Sequence, residues 1–341
     1  MNPDRPNFAH LRRLSDDTGL YEHARGALPR REHGYCLDDV ARGLVVLCRE
    51  PHLPPALGTL MERYLAFTAH AQAHDGRFHN RLGPDRRWRD KPGLGDWWGR
   101  ALWGLGTAAA RGPGPWVRSA ALDCFEASAH HRPTSVRAMA FAALGAAEIV
   151  RVLPDHDLAG KLLGDLAGYV GGPGPDPDWP WPEARLYYAN AVLPEALIAA
   201  GDFAGDRRVR DDGLRMLGWL LAVQTRDAHL SPIPAGGWRT GEPRPGFDQQ
   251  PIEVAALADA CARAYELTGD RAWLVGVRRA IAWFEGDNDA GTPLRDPRTG
   301  GGHDGLERAG RNANQGAEST LALLATRQHA DLPGVTGWAS S

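Results

Sequence analysis

Isoleucine is scarce: only five occur in 341 residues, while Ala and Leu dominate the apolar set. Strands favour β-branched residues and helices favour Ala and Leu, so a sheet-based fold is excluded and an all-α one is expected. Cysteine is nearly as sparse, with Cys36, Cys48, Cys124 and Cys261 scattered and no CxxC among them. That excludes a disulfide framework and fits reduced thiols in a cytosol. Lysine is almost missing, since Lys91 and Lys161 are the only two among 39 cations, and 42 acidic residues leave a net charge of −3. Such a balance lacks the basic face that nucleic-acid binding needs. No apolar run approaches the roughly 20 residues of a membrane helix. The opening MNPDRPNFAHLRRL lacks the apolar core of a secretory signal. The expectation is a soluble cytoplasmic protein with neither nucleic-acid nor membrane partner.

What is abundant is punctuation, with 41 Gly and 26 Pro. In an all-helical chain these must separate helices. Six segments are apolar on nearly every side: 37–48, 97–110, 135–150, 187–200, 251–265 and 314–325. A helix apolar all round is buried. Between them run one-sided helices at 56–72, 116–130, 156–169, 212–224 and 273–284. In the first, Leu57, Leu60, Met61, Tyr64 and Leu65 share a face opposite Glu62 and Arg63; in the last, Leu274, Val277, Ile281 and Phe284 keep the same rhythm. Alternating buried and half-buried helices mean a repeat architecture. An open solenoid would need polar caps, and none of the six buried segments has one. The pattern therefore predicts a closed (α/α)6 toroid, one domain over 1–341, with residues 6–14 or the tail as the sixth outer helix. Pro194, inside the fourth buried segment, conflicts with a helix over 187–200 unless the helix starts near it.

The loops entering the buried segments carry the chemistry: 31–39, 91–100, 130–137, 176–190, 236–253 and 301–318. Alternation of inner and outer helices puts all six on one end of the ring. They supply the carboxylates Asp38, Asp39, Asp96, Glu183, Asp248, Glu253, Glu307 and Glu318, with Trp97, Trp98, Trp179, Trp181, Trp238, Tyr35, Tyr187 and Tyr188. Carboxylates beside aromatic faces and amides suit a sugar, which offers hydroxyls on its edge and C–H bonds on its face. Cleaving a glycosidic bond needs one carboxyl as acid and a second as base or nucleophile. The candidate catalytic set is Asp39 and Asp96 first, then Asp38, Glu183, Asp248 and Glu318. The candidate substrate-binding set is Asp17, His23, His33, Tyr35, Arg42, Trp97, Trp98, Arg100, Trp181, Tyr188, Asn190, Gln249, Gln250 and Asn314. Singly, an Asp at a helix start is more commonly a cap and a Trp is as often core. Six loops with the same bias argue against that reading for the whole.

Other chemistries lack their motifs. The DDVAR run has Gly43 where a diphosphate–magnesium DDxxD needs its third carboxylate. His33 and Cys36 form an HxxC with no second pair to complete a zinc site. GGPGP (171–175) puts Pro where a phosphate cradle needs N–H donors. No metal and no cofactor are expected.

The run LSDDTGLYEHARGALPRREHGYCLDDVARGL (14–44) resembles the start of a bacterial all-helical domain found alone or fused C-terminal to glycosyltransferases. NQGAESTLALL (314–324) is similar to that domain's end signature. The resemblance implies an (α/α)6 toroid, a carbohydrate context and a possible glycosyltransferase partner. It marks Asp16, Asp17, Thr18, Gly19, His23, His33, Tyr35, Asp38, Asp39, Arg42 and Glu318 as family features and assigns no catalytic residue. Three functions stay open: a glycoside hydrolase on an oligosaccharide or glycoconjugate, a sugar epimerase using loop histidines for proton abstraction, and a non-catalytic sugar-binding domain.

Overall fold

A computed structural model describes residues 6–51 and 53–335. Twelve α-helices occur among them: α1 (Ala9–Arg13), α2 (Leu37–Arg49), α3 (Pro55–Ala71), α4 (Asp96–Arg111), α5 (Pro115–Ser128), α6 (Val136–Val152), α7 (Asp157–Val170), α8 (Val192–Ala204), α9 (Arg207–Val223), α10 (Pro251–Thr268), α11 (Ala272–Glu285) and α12 (Ala317–Gln328). The even-numbered helices touch in the order α2, α4, α6, α8, α10, α12 and back to α2, which closes the ring. Each odd-numbered helix packs outside an inner one, with α1 against α12. The fold is the expected (α/α)6 toroid, and residues near 6–14 supply the sixth outer helix. The tail beyond 335 lies outside the described residues.

The boundaries follow local chemistry. Ser135 caps α6 by accepting from the Ala138 amide, and Asp206 caps α9 by accepting from the Arg208 and Val209 amides. Glycines in left-handed conformation end α8 (Gly205) and α10 (Gly269). The fourth inner helix begins at Val192 rather than 187, because Ala189 takes a φ of +45° and breaks the run. Pro194 thereby falls in the first turn, where its missing N–H costs nothing.

Inner helices are buried nearly all round. In α6 every residue from Arg137 to Val150 is buried. Outer helices bury one face, as Leu57, Leu60, Met61, Tyr64 and Leu65 do in α3. The inner N-termini converge on one rim. Short two-stranded ladders roof it, notably Tyr35–Cys36 paired antiparallel with Arg81–Leu82 across α2 and α3, and the hairpin of Leu306–Glu307 with Gly310–Arg311. The axial bore below the rim is apolar along its middle, lined by Val45, Leu144, Val192 and Leu321 with Trp103 and Phe141. At its far end a charged network closes it: Arg49 meets Asp259 (2.9 Å), Arg111 meets Glu148 (2.8 Å) and Arg263 meets Glu195 (3.0 Å).

Candidate active site

The rim encloses a two-lobed mouth. One lobe, about 980 Å³, is lined by Asn80, Asp96, Trp97, Arg100, Tyr188 and Ile252. The other, about 810 Å³, is more polar, with Glu22, His23, Asp39, Arg42, Arg81, Asp304 and Ser319. Asp38, Gln250 and Glu318 line both and mark the boundary. The carboxylates Asp38, Asp39, Asp96 and Glu318 occupy the first turns of α2, α4 and α12, where the positive end of each helix dipole favours an anion.

Arg42 ties the polar lobe together. Its Nη2 donates to Asp39 Oδ1 (2.9 Å) and its Nη1 to Glu318 Oε2 (2.7 Å). Asp39 is buried, whereas the Glu318 side chain is 40% exposed to the mouth. Burial pushes the Asp39 carboxyl up to about 7; Arg42 opposes this, while Glu318, Glu22 and Asp38 add to it. The pair therefore contains one carboxyl set to hold a proton near neutral pH and one open to solvent. Oxygens of Glu22 and Asp39 also lie within 4.8 Å of one another and of the Cys36 sulfur.

In the other lobe, Asp96 accepts from Ser135 Oγ (2.9 Å) and from the Tyr188 hydroxyl. Burial, then that bond to Asp96, hold the Tyr188 hydroxyl above its ordinary pKa. Asp38 Oδ1 stands 3.0 Å from Arg100 Nη1 as an ion pair out of hydrogen-bonding alignment, and neither that oxygen nor Arg100 Nε has a hydrogen-bond partner. Trp97 is fixed by its indole N–H donating to Phe78 O (2.8 Å). Glu253 positions the neighbouring loop, accepting from the Ala189 and Asn190 amides and from Asn190 Nδ2. Burial raises its carboxyl to about 7.

The candidates divide accordingly. Asp38, Asp39, Asp96, Glu318, His23, Arg42, Trp97, Arg100, Tyr188 and Gln250 line the mouth. Glu183 lies outside it, held by Arg137 at 2.7 and 2.9 Å. Asp248 is exposed and lines neither lobe. Trp98 is wholly buried, one helical step from Trp97, and Trp181 is buried in an indole cluster. Tyr35 donates to Asp16 Oδ2 (2.6 Å) and stacks on Tyr21, and His33 meets His23 edge-on without lining the mouth. Asp17 pairs with Arg86 on the surface. Asn190, Gln249 and Asn314 are spent on structure: Asn190 on Glu253, Gln249 on Trp283 and Gly246, Asn314 on the Gly26 amide. The sequence reading missed Glu22, Asn80, Arg81, Asp304 and Ser319. Asn80 and Arg81 lie early in the α3–α4 connection, of which only the stretch 91–100 stood out.

A closed ring of six helical hairpins, with a carboxylate-rich mouth at the inner N-termini, defines the six-hairpin toroid class. Searches for similar proteins give the same class by shape. A cellobiose 2-epimerase from Bacillus thermoamylovorans superposes with a TM-score of 0.70 at 12% identity, covering 95% of this chain and 96% of that one. A sugar epimerase from a ruminal bacterium gives 0.69 at 12% identity, covering 94% of each. A cellulase of C. cellulolyticum in complex with cellobiose gives 0.61 at 8% identity, covering 92% and 87%. No family model and no curated protein matches the sequence.

Proposed function

We propose that the protein is a carbohydrate-active enzyme that hydrolyses a glycosidic bond of an oligosaccharide or glycoconjugate. The observation that carries this is the Asp39–Arg42–Glu318 bridge, which places a buried carboxyl raised to about 7 beside a solvent-facing one at the boundary of two lobes. In the proposed reaction Asp39 gives its proton to the leaving oxygen as the bond from the anomeric carbon breaks. Glu318 takes a proton from the water that attacks that carbon, or attacks it itself before water does. Either route adds one water and yields a free reducing sugar and an alcohol. Trp97 and Tyr188 offer faces to sugar C–H bonds. Asp38 and Arg100, an ion pair lining the first lobe, offer polar partners to neighbouring hydroxyls.

Reducing-sugar release from a panel of oligosaccharides tests the reading. Asp39→Asn and Glu318→Gln should each lower kcat by roughly 10²- to 10⁴-fold. Full turnover in both variants would overturn the acid–base assignment.

The second reading is a sugar epimerase, favoured by the near-complete coverage of both epimerases. Of the loop histidines His23, His33, His79, His130, His131, His229 and His303, only His23 lines the mouth among the described residues. A histidine pair for proton shuttling is thus missing from it, which favours hydrolysis. Deuterium entering a sugar carbon from heavy water, without bond cleavage, would reverse that preference.

A further inference from the structure

We infer that the connector between α7 and α8 forms a second carbohydrate-binding site beside the mouth, one that holds the distal units of an oligosaccharide. This rests on the hydrolase reading for the mouth but on different residues. A hollow of about 670 Å³ opens there, lined by Trp179, Trp181, Glu183, Arg239 and Thr240. It is built on indoles. Trp179 and Trp181 pack on Trp219 of α9 at 5.1 and 5.8 Å between ring centroids, and Trp179 meets Trp238 at 5.5 Å. The Trp179 indole N–H donates to Glu183 O (2.8 Å) and that of Trp238 to Glu242 O (3.0 Å), so the loop satisfies its own polar groups. The buried N–H of Trp181 has no partner.

One side chain ties a residue of the hollow to a residue of the mouth. Arg137 of α6 grips Glu183 with both terminal nitrogens and donates through Nε to Tyr188 O (2.6 Å). Its guanidinium carbon lies 5.7 Å from the centre of the Tyr187 ring and 4.9 Å from that of Tyr188. Both rings are thereby held in place while staying 44% and 42% exposed. Tyr188 lines the mouth, and Glu183 lines the hollow. Exposed apolar ring surface that is pinned rather than folded away is poised for a partner. Here the partner must have an apolar face and hydroxyls for Glu183, Arg239 and Thr240, which describes a neutral sugar chain.

Binding separates the two readings. The full chain carrying Glu318→Gln is titrated with linear glucose and mannose oligosaccharides of two and of six units, followed by calorimetry and by tryptophan emission. The expected result is tighter binding of a hexasaccharide than of its disaccharide. Tyr187→Ala and Thr240→Ala, both at exposed positions, should each reduce that length advantage about tenfold, with an unchanged thermal transition. Equal affinity for both lengths, or an advantage that survives both substitutions, overturns the second site and leaves the mouth untouched. Failure of every oligosaccharide to bind at either length overturns both. An extended peptide that competes with the hexasaccharide and quenches the indole cluster more strongly would reassign the hollow to a polypeptide.

Discussion

At the scale of single residues, Asp39 carries the sharpest prediction. Its carboxyl is raised from 3.8 to about 7, first by burial. Below pH 7 it holds a proton; above, the folded protein must bury an anion. As general acid it makes kcat/KM fall as pH rises through about 7, and Asp39→Asn should abolish that limb along with most of the rate. Stability moves in the same window with a definite sign. A raised carboxyl destabilises the fold increasingly between the unfolded value and the folded one, so the Asn variant should gain more in thermal midpoint at pH 8 than at pH 5. A pH-independent difference would show that Asp39 is ionised throughout. The first-turn carboxylates Asp38, Asp39, Asp96 and Glu318 were legible in the sequence because each sits where a loop enters an apolar helix. Asn80 and Arg81 were not, because they reach the mouth through the pairing of Tyr35–Cys36 with Arg81–Leu82, a two-residue ladder too short to have a pattern, and Glu22 follows a single bridge from Tyr21 to Tyr35. Trp97 and Trp98 were inseparable as letters, yet the roughly 100° between helical neighbours sends one to the mouth and the other to the core.

At the scale of elements, the inner helices depend on how closely their backbones approach. A Cβ on Gly106 of α4 would lie 2.2 Å from the Gly145 carbonyl oxygen of α6, and one on Gly145 would lie 2.2 Å from the Leu102 oxygen. Gly99 meets the Ala138 oxygen at the same distance. These obstacles are backbone atoms, so a methyl group must push two helices apart. Gly145→Ala should therefore cost about 1–3 kcal/mol, or more, despite alanine's better helix propensity. Gly164→Ala, on outer α7 with open space around it, should be neutral or stabilising. Urea unfolding of the pair checks this, and equal midpoints would refute close packing as the reason for glycine at 145. The small-residue content of the six segments was plain in the sequence. Which glycines face a neighbouring backbone depends on the crossing of α4 and α6, and a one-dimensional pattern does not hold that information.

At the scale of the whole molecule, closure distinguishes this ring from a stack of repeats. An open array of hairpins unfolds piecemeal, because each unit touches only its neighbours. Here α12 returns to α2, and the far end of the bore adds ties between helices that are not neighbours. Arg49 of α2 reaches Asp259 of α10 across α12, and Arg263 of α10 approaches Glu148 of α6 across α8 (3.8 Å). His329, just beyond α12, also meets Asp259 (2.6 Å). Arg49 and then His329 hold the Asp259 carboxyl below its ordinary range against the cost of burial, and Arg111 and Arg263 do the same for Glu148. Lowered carboxyls stabilise the fold above their unfolded values, and that contribution is lost as pH falls below about 4. Urea unfolding at pH 7 should thus be one transition, with far-ultraviolet circular dichroism and tryptophan emission coinciding. Asp259→Asn strips Arg49 and His329 of their shared anion, so it should lower stability by about 3–5 kcal/mol at pH 7 and by less at pH 3, where the unfolded chain already holds the proton. Two separated transitions in the unsubstituted chain, or an equal loss at both pH values, would mean that the network fills the bore without coupling the ring. The toroid would then behave as hairpins that merely meet at their ends.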